Sequence, residues 1–251
     1  MLRSRELAFI GIFTAFIAAA TMFLSVFVAA TGGFFNIGEI MVYTIALLMG
    51  PTIGAFSGGV GSMLADIFLG YTQFAPGTLV IKGLEGFIVG FLSCHRLKGL
   101  TRSKWLIITL GLGVIISILL FVVGTTYYVG ELEFTLGLPI LGYYNLTLYV
   151  PEIFWIILSP IIFIIIVFAG LLLDIELGWI VLSVLLGGSW MVFGYFAYER
   201  LIMGNIAALT EVPINMGQVT VGLLVSIPLY KAIRKILPFH TALAEDKQNK
   251  I

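Results

Sequence analysis

Polar and charged side chains form three clusters within otherwise apolar stretches of this sequence. The first holds Asn36 and Glu39, the second runs from Asp66 to Glu85, and the third runs from Tyr195 to Gln218. Carboxylates, amides and phenolic hydroxyls among aromatic rings are the groups that hold a small polar molecule in a pocket. The clusters therefore predict a ligand-binding site.

The candidate substrate-binding residues share a polar or phenolic side chain. They are Asn36, Glu39, Asp66, Tyr71, Lys82, Glu85, Tyr195, Glu199, Glu211, Asn215 and Gln218. Several also allow a purely structural role. Lys82 and Glu85 share a helix face and could neutralise each other, and Asp66 could pair with a neighbouring helix or reach headgroup water. Glu199 followed by Arg200 is typical of a solvated helix end.

Asn215 and Gln218 share one face of a helix that Pro213 is expected to begin. Two amides on one face of a membrane helix could join it to another helix. Their place beside a tyrosine-rich segment instead favours contact with a ligand, and both interpretations stay open.

Small residues at about four-residue spacing form a separate pattern, which lets helices approach closely. Those expected to pack inside the protein are Gly54, Gly58, Gly61, Gly86 and Gly90. Gly11, Ala15 and Ala19 repeat the spacing on the first helix, which is free to meet a partner. They are the predicted partner-contact residues.

The sequence carries no motif for enzymatic chemistry. It has no G-x-x-x-x-G-K-[ST] phosphate loop, no H-E-x-x-H and no G-x-S-x-G. His95 and His240 lack the spacing of metal ligands. We expect no catalytic residue, metal, cofactor or nucleic-acid partner.

The elements that position these clusters must be membrane helices. Of 251 residues, 60% are hydrophobic and only 10% are charged, with a mean hydropathy of +1.13. A soluble domain is about 25% charged and cannot bury this much apolar surface. The long apolar runs exclude a β-barrel, whose strands alternate. The predicted fold is an all-α integral membrane protein, a bundle of transmembrane helices.

Eight apolar runs are long enough to be considered as spans. They cover residues 7–30, 38–50, 52–70, 77–94, 105–124, 151–173, 178–198 and 214–233. Gly50 and Pro51 divide the second run from the third, because proline disfavours a helical residue before it. The second span is then short.

Basic residues predict the orientation, since loops rich in lysine and arginine stay in the cytosol. Both chain ends and the segment after the fourth span are basic, with Arg3, Arg5, Arg96, Lys98, Arg102, Lys104, Lys231, Arg234, Lys235, Lys247 and Lys250. Both termini are therefore expected in the cytosol, in a multi-pass protein of the cell membrane. The three polar clusters then lie at the outer face.

Two segments of the chain resemble the substrate-binding S components of energy-coupling factor (ECF) vitamin transporters. One is Gly50-Pro-Thr-Ile-Gly-Ala-Phe-Ser-Gly-Gly-Val-Gly-Ser-Met-Leu-Ala-Asp66 with Ile81-Lys-Gly-Leu-Glu-Gly86, and the other is Glu211-Val-Pro-Ile-Asn-Met-Gly-Gln218. The resemblance covers residues 1–98 and 178–236 and is closest to the riboflavin branch. Where riboflavin-binding members tend to have lysine, this chain has Gln218.

The resemblance implies a domain organisation. Residues 1–103 and 174–236 would form a six-helix core, 104–173 an inserted helical pair with an aromatic outer loop at Tyr143 and Tyr144, and 237–251 a cytosolic tail. It also implies partners. S components dock on a membrane coupling subunit driven by two cytosolic ATPases, and in the family small residues of the first helix meet that subunit.

The function that these observations predict is substrate binding for an ATP-driven ECF-type importer in the lipid bilayer. The substrate would be riboflavin or a related small vitamin or precursor. The alternative is a stand-alone ion-coupled secondary transporter that uses Asp66, Lys82 and Glu85 as a relay.

Overall fold

A computed structural model of the protein describes residues 4–28, 33–97, 99–138 and 142–236. Within these residues the chain forms seven helices and four strands. They are α1 (Ser4–Phe23), β1 (Ser25–Val28), β2 (Gly33–Asn36), α2 (Gly38–Leu69), α3 (Ala75–Cys94), α4 (Arg102–Tyr127), β3 (Gly130–Leu138), β4 (Gly142–Val150), α5 (Glu152–Leu172), α6 (Ile175–Ile202) and α7 (Asn205–Ile236). All seven helices are long and apolar enough to cross a membrane. The expected tail, 237–251, lies outside the described residues.

Helix α2 contains the two predicted spans 38–50 and 52–70, and it reverses direction at Gly50. Gly50 has φ +79 and ψ −172, a conformation that only glycine adopts readily. A β-carbon placed on Gly54 would lie 2.9 Å from the Cα of Ala46. In a straight helix these residues would be about 12 Å apart. Gly38–Met49 and Pro51–Leu69 are therefore antiparallel arms, as the Gly50-Pro51 break predicts.

The described residues divide into two compact units. One contains α1, the β1–β2 hairpin, α2, α3, α6 from Ile180 and α7. The other covers Leu97–Trp179. The second unit includes the segment predicted as an insert, and whether that segment is inserted relative to the family stays a prediction.

Glycine backbones form the contacts inside the first unit, as their spacing predicts. A β-carbon on Gly86 would clash with the carbonyl oxygen of Gly54, and one on Gly58 would lie 3.0 Å from that of Lys82. The second arm of α2 thus packs against α3 at backbone contact. Around this contact lies an apolar core that includes Ile17, Tyr43, Val89 and Val184.

The second unit pairs α4 with α5 and adds a hairpin. Gly124 faces the Trp155 ring and Gly170 faces Thr109, so the two helices are antiparallel. Strands β3 and β4 pair from Gly130 opposite Val150 to Leu138 opposite Gly142. The segment expected to be a loop is therefore mostly an antiparallel hairpin.

Two other predicted boundaries are wrong. The first span was expected to reach residue 30, but α1 ends at Phe23 and the next apolar residues form β1, which pairs with β2. The last helix was expected to begin at Pro213, but α7 begins at Asn205 and contains that proline. The break between α6 and α7 therefore lies at Gly204, which has φ +92, and not at Pro213.

Candidate functional site

A cavity of about 520 Å³, including its opening, lies in the first unit. Its wall is formed by side chains from every helix of that unit together with β2. The lining residues are Thr21, Gly33, Phe34, Asn36, Gly38, Glu39, Ser62, Asp66, Phe74, Thr78, Lys82, Tyr195, Glu199, Glu211, Asn215 and Gln218.

The reversal of α2 explains how residues far apart in sequence reach one wall. Glu39 lies in the first turn of the first arm, and Asp66 lies at the end of the second. Because the arms are antiparallel, both carboxylates lie at the same end of the helical hairpin that the two arms form, opposite the turn at Gly50. Helix α3 then runs back from that end and brings Lys82 to the same cavity.

Lys82 is the centre of a buried polar network. Its ammonium nitrogen pairs with Glu39 Oε1 and lies 3.2 Å from Glu85 Oε2. The hydroxyl of Tyr43 donates a 2.7 Å hydrogen bond to Glu85 Oε1. The network connects α2 with α3, and Glu85, fully buried, does not line the cavity. Mutual neutralisation, the structural alternative for Lys82 and Glu85, therefore occurs, although Lys82 also lines the cavity.

A second hydrogen-bonded chain crosses the cavity wall. Tyr195 on α6 donates from its hydroxyl to Thr78 Oγ1 at 2.9 Å. The Thr78 hydroxyl in turn interacts with the Asp66 carboxylate. The Tyr195 ring also lies 5.6 Å from the Lys82 ammonium, within the range of a cation–π contact. Tyr195 is therefore held against α3.

The two amides of α7 form hydrogen bonds within the protein and lie on the cavity wall, and contact with a ligand stays a prediction. Gln218 donates from Nε2 to Asn215 Oδ1 at 2.9 Å and accepts from the backbone N–H of Asn36 at 3.3 Å. Gln218 therefore ties α7 to the end of β2. Both amides also line the cavity.

Glu199 is not part of a solvated helix end. Its side chain is 4% exposed and lines the cavity, whereas the adjacent Arg200 is exposed. Glu199 lies close enough to Glu211 for their charges to interact. The solvated interpretation is wrong for Glu199 because its side chain is buried in the cavity wall.

Nine of the eleven predicted residues line this one cavity. The two that do not are Glu85, which lies beneath Lys82, and Tyr71, whose ring stacks on Phe34 at a centroid distance of 4.6 Å. The lining residues that the sequence pattern does not indicate are Thr21, Gly33, Phe34, Gly38, Ser62, Phe74 and Thr78. Their side chains are small, hydroxylic or apolar, and such residues occur throughout the helices, so no signal distinguished them.

Gly11, Ala15 and Ala19 lie together on an exposed face of α1, while the neighbouring Ile17 and Ala18 are buried. A β-carbon placed on Gly11 would meet nothing within 4 Å. This face is therefore not used for packing within the first unit.

The family to which the chain belongs follows from comparison with known proteins. The family model described as ECF-type riboflavin transporter, S component, matches residues 1–177 of the 251. The chain belongs to this family. As an S component it is a multi-pass membrane protein and the substrate-binding subunit of a vitamin transporter, and it is not an enzyme. The match runs through residues 104–173 and ends before the part of α6 and α7 that lines the cavity.

Two relatives are similar over part of the chain. One, from Pyrococcus woesei and described as an uncharacterized protein in gap 3'region, is 42% identical over 106 residues, which is 42% of this chain and 68% of the relative. The other is the thiamine precursor transporter HmpT of Lactococcus lactis subsp. cremoris, 30% identical over 113 residues. That alignment covers 45% of this chain and 58% of HmpT.

Proposed function

We propose that this S component captures riboflavin or a related small vitamin or precursor and delivers it inward through an ATP-driven complex. The observation that carries the proposal is the cavity, whose wall combines nine of the predicted substrate-binding residues with aromatic rings. The family description favours riboflavin, and the name of HmpT favours a thiamine precursor.

The partners in this proposal are a membrane coupling subunit and two cytosolic ATPases. The exposed small residues Gly11, Ala15 and Ala19 offer a smooth helix face on which another helix can approach closely. The chain itself carries no phosphate loop, so the ATP must be hydrolysed elsewhere. The basic ends of the chain support a cytosolic position of both termini, on the same side as those ATPases.

The cavity residues Asn36, Glu39, Asp66, Lys82 and Tyr195 contact the substrate in this proposal. The remaining contacts come from Glu199, Glu211, Asn215 and Gln218. Tyr71 acts indirectly by supporting the ring of Phe34, and Glu85 acts by holding Lys82 in place.

The test combines ligand identification with reconstituted uptake. The purified protein is analysed by mass spectrometry for co-purifying molecules, and then titrated with riboflavin and with thiamine compounds. Uptake into proteoliposomes is measured with the coupling subunit and ATPases, with ATPases lacking the phosphate-loop lysine, and with the chain alone. We expect uptake only with active ATPases. Uptake by the chain alone, driven by an ion gradient, would establish the secondary-transporter alternative instead.

A further inference from the structure

The charge of the cavity wall is unbalanced. Among the described lining residues, Glu39, Asp66, Glu199 and Glu211 carry carboxylates, whereas Lys82 is the one lysine or arginine. The ion pairs of Lys82 are made with Glu39 and with Glu85 beneath the wall. Its ammonium group is therefore already committed to two carboxylates.

Three carboxylate oxygens on this wall are buried outside any ion pair and without a hydrogen-bond partner among the described residues: Glu39 Oε2, Asp66 Oδ2 and Glu199 Oε2. Asp66 and Glu199 are only 4% exposed, and neither pairs with Lys82 as Glu39 does. A buried carboxylate oxygen without a partner is costly, and an uncompensated buried negative charge is costlier. A ligand that brings N–H donors and positive charge would remove both costs.

Aromatic rings lie beside these oxygens. Tyr195 donates a hydrogen bond to Thr78 and lies on the same cavity wall as Asp66 and Glu199. Phe34 and Phe74 supply further ring surface to the cavity. Ring faces attract both planar aromatic molecules and cations. The wall thus combines ring surface with acceptors that lack donors.

We propose that this cavity, if it binds a vitamin as proposed above, selects a cationic or amino-substituted heteroaromatic molecule of the thiamine type over a neutral flavin. N–H groups of the ligand would donate to Asp66 Oδ2 and Glu199 Oε2, and its ring would lie against Tyr195. The ring of a flavin is neutral and carries one N–H donor between two carbonyl oxygens, so it would bring few donors and no positive charge to these carboxylates. The part of the wall that carries Glu199 and Glu211 lies beyond the residues that match the riboflavin family.

The experiment is calorimetric titration of the detergent-solubilised protein with thiamine, with the aminopyrimidine half of thiamine, and with riboflavin. We expect a thiamine compound to bind more tightly than riboflavin. Glu199→Gln and Asp66→Asn keep the side-chain shape and remove the charge, and each should weaken thiamine binding roughly ten- to hundred-fold. Glu152→Gln, an exposed change in the first turn of α5, is the matched control and should leave affinity unchanged.

The wild-type comparison needs no variant to fold, and thermal unfolding without ligand checks the variants. Tighter binding of riboflavin than of both thiamine compounds would overturn the inference and leave the proposed vitamin transport intact. Unchanged thiamine affinity in both well-folded cavity variants would also overturn it. Failure of all three compounds to bind would count against the proposed function itself.

Discussion

Replacing Lys82 with methionine should destabilise the protein strongly even without ligand. The substitution keeps the length and apolar stem of the side chain but removes the ammonium group. Glu39 and Glu85 would then remain buried with no cation, since the side chains of the three residues are 1%, 0% and, for Lys82, 6% exposed. The change therefore isolates the electrostatic contribution of the network.

The size of the expected loss in unfolding free energy follows from the effect of removing one partner of a buried ion pair. Such a deletion costs about 3–5 kcal/mol, because the remaining charge is desolvated and uncompensated. For a chain of about this size, 1 kcal/mol shifts the melting temperature by roughly 2–4 °C. We therefore expect Lys82→Met to lower the melting temperature by roughly 6–20 °C.

The assay can use the single cysteine of the chain. Cys94 lies at the end of α3, where its sulfur would be 3.6 Å from a β-carbon on Gly50, and a thiol-reactive dye reports its exposure on heating. Lys104→Met, at an exposed position in the first turn of α4, is the matched control. Adding Glu39→Gln and Glu85→Gln to the Lys82 variant should restore much of the loss. A Lys82 variant that melts no lower than the Lys104 variant would refute the reasoning.

Four further predictions address packing, partners, the site and topology. Gly86→Ala should cost about 1–3 kcal/mol or more in unfolding free energy, because its methyl group would meet the backbone of α2, whereas Gly11→Ala should change the melting temperature little. Ala15→Leu should prevent co-purification with the coupling subunit while ligand titration of the isolated chain stays unchanged; full co-purification would assign the partner to another face. Gln218→Ala should lower the melting temperature, because two hydrogen bonds of about 0.6 kcal/mol each are lost, and Asn215→Ala should lower ligand affinity by about 1–3 kcal/mol. Unchanged affinity would leave Asn215 structural. A C-terminal tag should be protected from protease in intact cells, and cleavage from outside would reverse the predicted orientation.

Composition was enough to predict a helical membrane protein, because a chain with so few charged residues and so much apolar surface needs a lipid bilayer around it. The Gly50-Pro51 pair was enough to predict the break inside α2, since its backbone requirement is local. The β1 strand could not be predicted in the same way. Apolar residues such as Val26 and Phe27 fit a helix or a strand equally well, and here pairing with β2 decides between them.

The site was predictable where the sequence contains charge. Asp66 and Glu199 are costly in a membrane helix, and their cost indicated a function before their positions were known. Phe34 and Thr78 carry no such cost, so only their place in the fold reveals them. Glu85 shows that a costly buried carboxylate need not line the cavity, because it can serve the ligand indirectly by holding a neighbouring lysine.

The reversal at Gly50 also bears on how the chain enters the membrane during synthesis. The first arm of α2, Gly38–Met49, is twelve residues long and spans about 18 Å, whereas an independent span needs about 20 residues. This arm is too short to remain in the bilayer alone. It must therefore enter together with Pro51–Leu69 as one helical hairpin, whose backbone groups are satisfied within the two arms. We therefore expect α2 to insert as a single unit, which brings Glu39 and Asp66 to the same side of the membrane in one step.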